Sequence, residues 1–410
     1  TSGLTWGARR DVTSNTSGSA RNPVLAIDPT NNLYVTYQGY GSGEFHTTAN
    51  NIAVRTSTTS GLTWGARRDV TSNTSGNAVA PSITIDSANN LYVVYNGRGS
   101  DEFHASINNI ALRTSTNGGL SWGTRRDVTS NTNGTVATPS LAIDSTNNLY
   151  VAYHGVGSGE FHASIYNIAL RTSTDGGLTW GARTDVTTST ALYSYYPSIT
   201  RDALNNIFIA YQSQELNGWN NLAVRGSSLG NYGDRKDVTA MRSFDSNSPR
   251  VSINTSTGAM YMTYSSNEYN AAFTNIALRT STDSGLTWGA RRDVTVNTSA
   301  SQTTPDIATD SGGNIYITYS SREITSTFAN IAVRTSTDSG LTWGARRDLT
   351  TSTAVSQSSP TITTAGGNIF VTYTSGEFNS SFTNIALRTS TDSGLTWGDR
   401  RDLTTSAIAS

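Results

Sequence analysis

The chain has 410 residues, 28 Lys and Arg against 29 Asp and Glu, a formal net charge of -1 and no cysteine. That balance provides no long-range field to gather nucleic acid or an anionic membrane, and the lack of thiols excludes disulfides, thiolate nucleophiles, zinc–thiolate centres and iron–sulfur clusters. No run approaches the roughly 20 apolar residues of a spanning helix, and the opening TSGLTWGARRDVT lacks the layout of a signal peptide, so the expectation is a soluble mature chain or a fragment of one, without membrane insertion.

In chain order, the first element is the strand candidate at residues 4 to 13, followed by the alternating run LYVTY at 33 to 37. The next unit shows the full set: SITID (82 to 86), LYVVY (91 to 95), NIALRTS (109 to 115) and SWGTRRDVT (121 to 129), here labelled strands A, B, C and D. No segment repeats its apolar residues at helical spacing, while Ser, Thr, Asn, Gly and 19 Tyr supply strand and turn formers. In B, Leu91, Val93 and Tyr95 face one way and Tyr92 and Val94 the other, so both faces carry bulk, as a sheet sandwiched between two others requires.

The set recurs along the whole chain. Its tryptophans, Trp6, Trp64, Trp122, Trp180, Trp288, Trp343 and Trp397, are separated by 58, 58, 58, 108, 55 and 54 residues, and the long gap holds one eroded copy with Tyr232 in the Trp place. Seven intervals result, at about 7–64, 65–122, 123–180, 181–232, 233–288, 289–343 and 344–397, within a single domain 1–410. Short antiparallel units of this length bury their faces only by stacking, which predicts an all-β, seven-bladed β-propeller of four-stranded blades. Strand D is encoded eight times, because residues 1–13 duplicate 396–404. The C-terminal copy, in a short hairpin with strand C at residues 384 to 390, is expected to close the ring, leaving residues 1–13 free to pair with another copy of the chain and build filaments.

The turn between C and D, Ser173-Thr174-Asp175-Gly176-Gly177-Leu178-Thr179-Trp180, resembles the Asp-box of sialidases and related BNR-repeat β-propellers. It returns intact at Ser281 to Trp288, Ser336 to Trp343 and Ser390 to Trp397, while Thr59 and Asn117 replace the Asp in two further copies. We read Asp175, Asp283, Asp338 and Asp392 as turn-forming groups that accept backbone N–H bonds, since no clustered carboxylates accompany them as a calcium loop requires. No metal and no cofactor is expected.

The resemblance to sialidases implies three arginines holding a carboxylate, a Tyr nucleophile with a Glu partner, and an acid/base Asp, all breaking the repeat. Most arginines here obey it. Arg55, Arg113, Arg171, Arg225, Arg279, Arg334 and Arg388 share one place in strand C, and Arg10, Arg68, Arg126, Lys236, Arg292, Arg347 and Arg401 share one in strand D, where pairing with the following Asp is expected. Arg21, Arg98, Arg201, Arg242, Arg250 and Arg322 depart from it. His46, His104 and His162 recur one per unit, too far apart to chelate a metal together.

A Tyr closes strand B in every unit and a Glu follows in the next loop: Tyr37 and Glu44, Tyr95 and Glu102, Tyr153 and Glu160, Tyr211 and Glu215, Tyr264 and Glu268, Tyr319 and Glu323, Tyr373 and Glu377. A carboxylate beside an aromatic face is a candidate sugar pocket, here repeated seven times; the alternative is loop capping by Glu and blade packing by Tyr. The reading is therefore a noncatalytic, multivalent glycan-binding propeller with glycans or other copies of itself as partners. The alternatives are a structural surface or filament protein and a sialidase-like hydrolase. The thiol-free, Asn/Ser/Thr-rich surface, with sequons at Asn15, Asn73, Asn133, Asn254, Asn297 and Asn379, places it outside the cell or on the cell surface.

Overall fold

A computed structural model describes residues 18–41, 47–99, 106–157, 161–227, 232, 234–241, 243–379 and 381–403, the side chains of 378 and 379 excepted. Seven four-stranded antiparallel sheets form, each with its strands adjacent in sequence order. The blades run from Ser19 to Asp69, Asn77 to Asp127, Thr135 to Asp185, Ser194 to Asp237, Ser246 to Asp293, Gln302 to Asp348 and Gln357 to Asp402. No α-helix occurs among the described residues.

The two-sided bulk of strand B explains the stacking. Leu91, Val93 and Tyr95 join Tyr34, Ile52 and Val54 of blade one in one core cluster, while Tyr92 and Val94 join Leu149, Val151 and Tyr153 of blade three in the next. There are seven such clusters, one per seam, and the last joins Phe370, Ile385, Leu387 and Leu403 to Ala20, Leu33, Val35 and Tyr37. The hydrophobic core is thus a ring of seams and not one central body.

Strand D is much shorter than its sequence suggests. In each blade only two residues pair with C, as in Arg126–Asp127. Backbone bonds flank that pair, as in Gly123 N to Thr114 O and Val128 N and Thr129 N to Ile110 O, and side chains add to them. The strand C arginines reach across the C–D gap to a backbone oxygen after the Trp: Arg171 Nη1 donates to Gly181 O at 3.1 Å, Arg279 to Gly289 O at 2.9 Å and Arg388 to Gly398 O at 3.0 Å. At the start of C a buried Asn clamps the segment leaving D. Asn167 Oδ1 accepts from Thr187 Oγ1 (2.9 Å) and Ser189 N (2.8 Å), and its Nδ2 donates to Ser189 O (3.0 Å). Alternation along D also corrects the expected ion pair. The carboxylate pairs with the Arg two residues before it, on the same side of the strand, as in Arg125 Nε to Asp127 Oδ1 at 2.7 Å, and not with the adjacent Arg126.

The C–D turn is built by its own side chains. Ser173 Oγ donates to Asp175 Oδ1 at 2.8 Å and accepts from Gly177 N at 2.8 Å, and Asp175 Oδ1 accepts from Thr179 N at 2.9 Å. These bonds, led by those from Thr179, hold the Asp175 carboxyl down at about 2. Thr59 and Asn117 make the same bond, to Thr63 N at 2.8 Å and Ser121 N at 3.0 Å, so the turn survives loss of the acid. The Trp packs on the seam with the preceding blade, Trp180 lying against the cluster of Tyr92 and Leu112.

Strand A begins earlier than the sequence reading placed it, because it runs across a proline. In blade two it is Asn77–Ile85, with a register shift between Val79 and Ser82 around Pro81. The same bulge recurs in every blade, and the residue before each proline takes positive φ: Asn22, Ala80, Thr138, Tyr196, Ser248, Thr304 and Ser359 lie between 47° and 54°. Proline lacks the N–H that pairing requires, so the strand bulges there. Those seven residues line a cavity of about 410 Å³ on the axis. The A–B and C–D turns share one end of the ring; the B–C and D–A loops share the other, called here the upper face.

Arg401–Asp402 takes the fourth place in blade seven, and Arg401 Nη1 donates to Leu62 O of blade one at 2.7 Å across the closure. The duplicate at residues 1–13 lies outside the described residues. Deleting residues 1–13 should therefore leave the β-rich circular dichroism spectrum and the urea midpoint unchanged; an unfolded product would make the N-terminal copy essential to closure. Of the sequons, Asn73 and Asn254 are 2% and 5% exposed and thus closed to a glycosylating enzyme, Asn133 is at the surface and Asn297 half-buried, and Asn15 lies outside the described residues.

Candidate glycan-binding site at the axial mouth

The seven strand B tyrosines, Tyr37, Tyr95, Tyr153, Tyr211, Tyr264, Tyr319 and Tyr373, are all 0% exposed and offer no ring face to a sugar. They sit against the outer strands, where Tyr211 Oη accepts from Arg225 Nε at 3.1 Å. Burial pushes the hydroxyls of Tyr319 and Tyr373 up to about 12. The glutamates that the structure describes are tied by ion pairs to the first Arg of strand D: Glu215 to Arg235 at 3.1 Å, Glu268 to Arg291 at 3.3 Å, Glu323 to Arg346, and Glu377 to Arg400 at 2.6 Å. Glu44, Glu102 and Glu160 lie outside the described residues. The placement expected for this ring, open on the upper face, is thus corrected for its tyrosines: each blade draws them into its packing because they face the neighbouring sheet.

The histidine place in the B–C loop is a loop cap. His162 Nδ1 accepts from Ser164 N at 3.3 Å, and where the repeat has Asn270 or Thr325 those side chains accept from Ala272 N and Phe328 N at 2.8 Å. His46 and His104 lie outside the described residues. Among the described residues no group of three His, Cys, Asp or Glu is placed to hold a metal ion.

What distinguishes one part of the ring is departure from the repeat. At the seam of blades three and four, five columns of the repeat change together. Tyr166 stands where other blades have Asn50, Asn108, Asn220, Thr274, Ala329 and Thr383. Tyr195 replaces Arg21, Val79, Ala137, Asn247, Thr303 and Ser358; Tyr196 replaces Asn22, Ala80, Thr138, Ser248, Thr304 and Ser359. Tyr193 just before strand A and His154 in strand B complete the set.

These side chains meet. Tyr193 and Tyr195 stack with centroids 5.7 Å apart, Tyr166 lies 5.3 Å from Tyr195, and Tyr195 is 5.9 Å from Tyr196. His154 is enclosed by edge contacts to Tyr166, Tyr195 and Tyr196 at 5.4, 5.7 and 5.8 Å, and its Nδ1 lies 2.7 Å from Thr138 Oγ1. Burial pushes the imidazole down to about 4. Tyr196, 49% exposed, carries the cluster onto the axial cavity.

Beside Tyr196 the mouth is again asymmetric. After the proline, blades two to four have Ser82, Ser140 and Ser198, whereas blades five and six have Arg250 and Asp306. Ser82 and Ser140 each accept a backbone N–H of the next blade at 3.2 Å, from Leu141 and Ile199, and Asp306 does the same for Ile362 N at 2.8 Å. Burial raises the Asp306 carboxyl, opposed by Arg250, whose Nε lies 3.7 Å away. Of the remaining departures, Arg21, Arg98 and Arg322 are exposed on the upper side, Arg201 bonds Asn205 at the opposite end, and Arg242 lies outside the described residues.

The profile of the BNR repeat-like domain matches residues 89–299 and 258–408. The chain belongs to this family. No curated protein sequence matches it. Among solved structures, a polysaccharide lyase of the PL25 ulvan lyase family aligns with a TM-score of 0.61 at 12% identity, covering 89% of this chain and 93% of the lyase. The same lyase bound to -[GlcA(1-4)Rha3S]- aligns with equal coverage at 11% identity. A Hadza microbial sialidase, Hz136, aligns with a TM-score of 0.49 at 14% identity over 82% of this chain and 70% of its own. At such identities the shared property is the propeller, and function has to be argued from this BNR-repeat chain's own residues.

Proposed function

We propose that this propeller binds carbohydrate noncatalytically on the upper face, at the tyrosine-lined side of the axial mouth. The observation that carries it is the change of five repeat columns at one seam, which sets an aromatic cluster beside an open cavity. Sugars present apolar C–H faces to aromatic rings and hydroxyls to polar rims, and the mouth offers Tyr196 for the first and Asn22, Ser248 and Thr304 for the second. Among the described residues this change of columns occurs at one seam, so the reading is one asymmetric pocket in place of the sevenfold avidity expected from the repeat. The fold shared with a polysaccharide lyase agrees with a glycan ligand. The absence of catalysis is supported by the strand C arginines, which hold backbone carbonyls, and by the mutual pairing of Arg250 and Asp306. A glycan ligand fits a protein that works outside the cell or on its surface.

The test is a glycan array followed by calorimetry on Tyr196→Ser. Ser248 occupies the same place with the same positive φ, so the variant should fold. Affinity should fall about tenfold, equivalent to about 1.4 kcal/mol, with an unchanged circular dichroism spectrum. No binding by the unmodified protein at millimolar sugar would end the carbohydrate reading, and released product on chromatography would end the noncatalytic one.

A further inference from the structure

We infer that the ligand of this site is an internal stretch of a linear polysaccharide, lying across the upper face from the tyrosines, over the axial mouth, and into a second groove on the far side. This rests on the carbohydrate reading and adds what kind of carbohydrate it is.

The second groove, of about 440 Å³, opens above blades five to seven and is lined by Ser301, Thr303, Ser326, Arg322, Ser356 and Ser358. Its position follows from the repeat. Tyr195 of blade four occupies the column that holds Thr303 in blade six and Ser358 in blade seven. Tyr193 likewise precedes strand A where Ser301 and Ser356 do. Where those columns are aromatic, the seam is filled to a ring platform; where they carry hydroxyls, the seam is a trough. Thr304 lines both the trough and the axial cavity, and Tyr196 belongs to both the axial cavity and the platform. Platform, mouth and trough therefore adjoin one another on the upper face through shared residues, Tyr196 between the first two and Thr304 between the last two.

A terminal-sugar binder needs a closed pocket that stops the chain. Here the mouth adjoins a second groove, where Phe273 offers a further ring while Ser and Thr hydroxyls and the exposed guanidinium of Arg322 offer bonds to sugar edges. A flexible chain gains affinity from each further unit that finds contact until mouth and groove are filled.

The experiment screens neutral, carboxylated and sulfated linear polysaccharides, then titrates size-fractionated oligomers of the polymer that binds, free or blocked at both ends. Affinity should rise with length by at least about tenfold before it levels, and blocking the ends should leave it unchanged. Arg322→Ala should weaken the longest oligomer several-fold and leave the shortest unaltered, whereas Tyr196→Ser should weaken both. A monosaccharide that binds as tightly as the polymer, or end-blocking that abolishes binding, overturns the internal-stretch inference while the carbohydrate reading stands. An Arg322→Ala effect that is equal at all lengths or absent also overturns it. If no polymer, oligomer or monosaccharide binds, both fall together.

Discussion

Replacing Asn167 by Ala should destabilise the protein by about 3 kcal/mol, the cost of leaving several buried polar groups without partners. Asn167 is 3% exposed and its amide serves both directions at once. Its carbonyl oxygen accepts from Thr187 Oγ1 and Ser189 N, and its nitrogen donates to Ser189 O and to Ile165 O, at 2.8 to 3.3 Å. Alanine removes the acceptor and donor together, and Ser189 loses the partners of both its N–H and its C=O. Because strand D of this blade pairs with C through Thr184–Asp185 and the bonds of Val186 N and Thr187 N to Ile168 O, no backbone ladder to C reaches Ser189 once the clamp is gone. Urea denaturation should show a lower midpoint with the same slope, and Asn275→Ala, in the same column of blade five, should behave alike. A loss below about 1 kcal/mol, the net worth of one ordinary hydrogen bond, would mean that the arginine bridge, Arg171 to Gly181 O, and the backbone bonds to Thr172 and Ile168 hold strand D without the Asn clamp.

That clamp shows where the sequence is readable and where it is not. The seven blades were legible because strand B carries apolar bulk on both faces and the Trp turn marks every unit but the one with Tyr232. Strand D was not, because SWGTRRDVT has the alternation of a strand while its ladder covers two residues and the remainder is held by isolated backbone bonds from Gly123, Val128 and Thr129 together with Arg and Asn side chains. Propensity sees the residues of D and misses the donors on C. The prolines of strand A carried a signal that alternation hides: Pro23, Pro81, Pro139, Pro197, Pro249, Pro305 and Pro360 mark the bulge that rings the axis. The Tyr and Glu of the B–C ends drew attention because they recur in every unit, yet a feature that every blade shares is what stacking of like units requires. The site is written in departures from the repeat, and Tyr166, Tyr193, Tyr195, Tyr196 and His154 become visible only when the blades are compared column by column. Their convergence depends on two adjacent strands and a loop meeting in space, which spacing along one chain does not display.

His154 gives that site a pH signature. The ring is 7% exposed, faces three tyrosines and Thr138, and is pushed by burial from 6.5 down to about 4. In the unfolded chain the imidazole takes up its proton near 6.5, whereas the folded protein resists protonation until about 4. The unfolded state therefore binds more protons between those values. Stability from this group is complete above 6.5, declines as pH falls toward 4, and is lost below it. The shift corresponds to about 3 kcal/mol at most. Asp69, Asp293 and Asp306, whose carboxyls burial raises, act in the opposite sense, while the lowered turn carboxyls such as Asp175, Asp338 and Asp392 act in the same sense, so the wild-type profile is a sum of these groups. His154→Asn isolates the imidazole's share, because Asn96 fills the same place in blade two at 5% exposure and the fold accommodates it there. Urea midpoints measured at neutral pH and near pH 4 should fall less in the variant than in the wild type, with the difference approaching the full value. Parallel losses in the two proteins would mean that the imidazole is already reached by water or by a proton acceptor, and that the tyrosine platform does not enclose it.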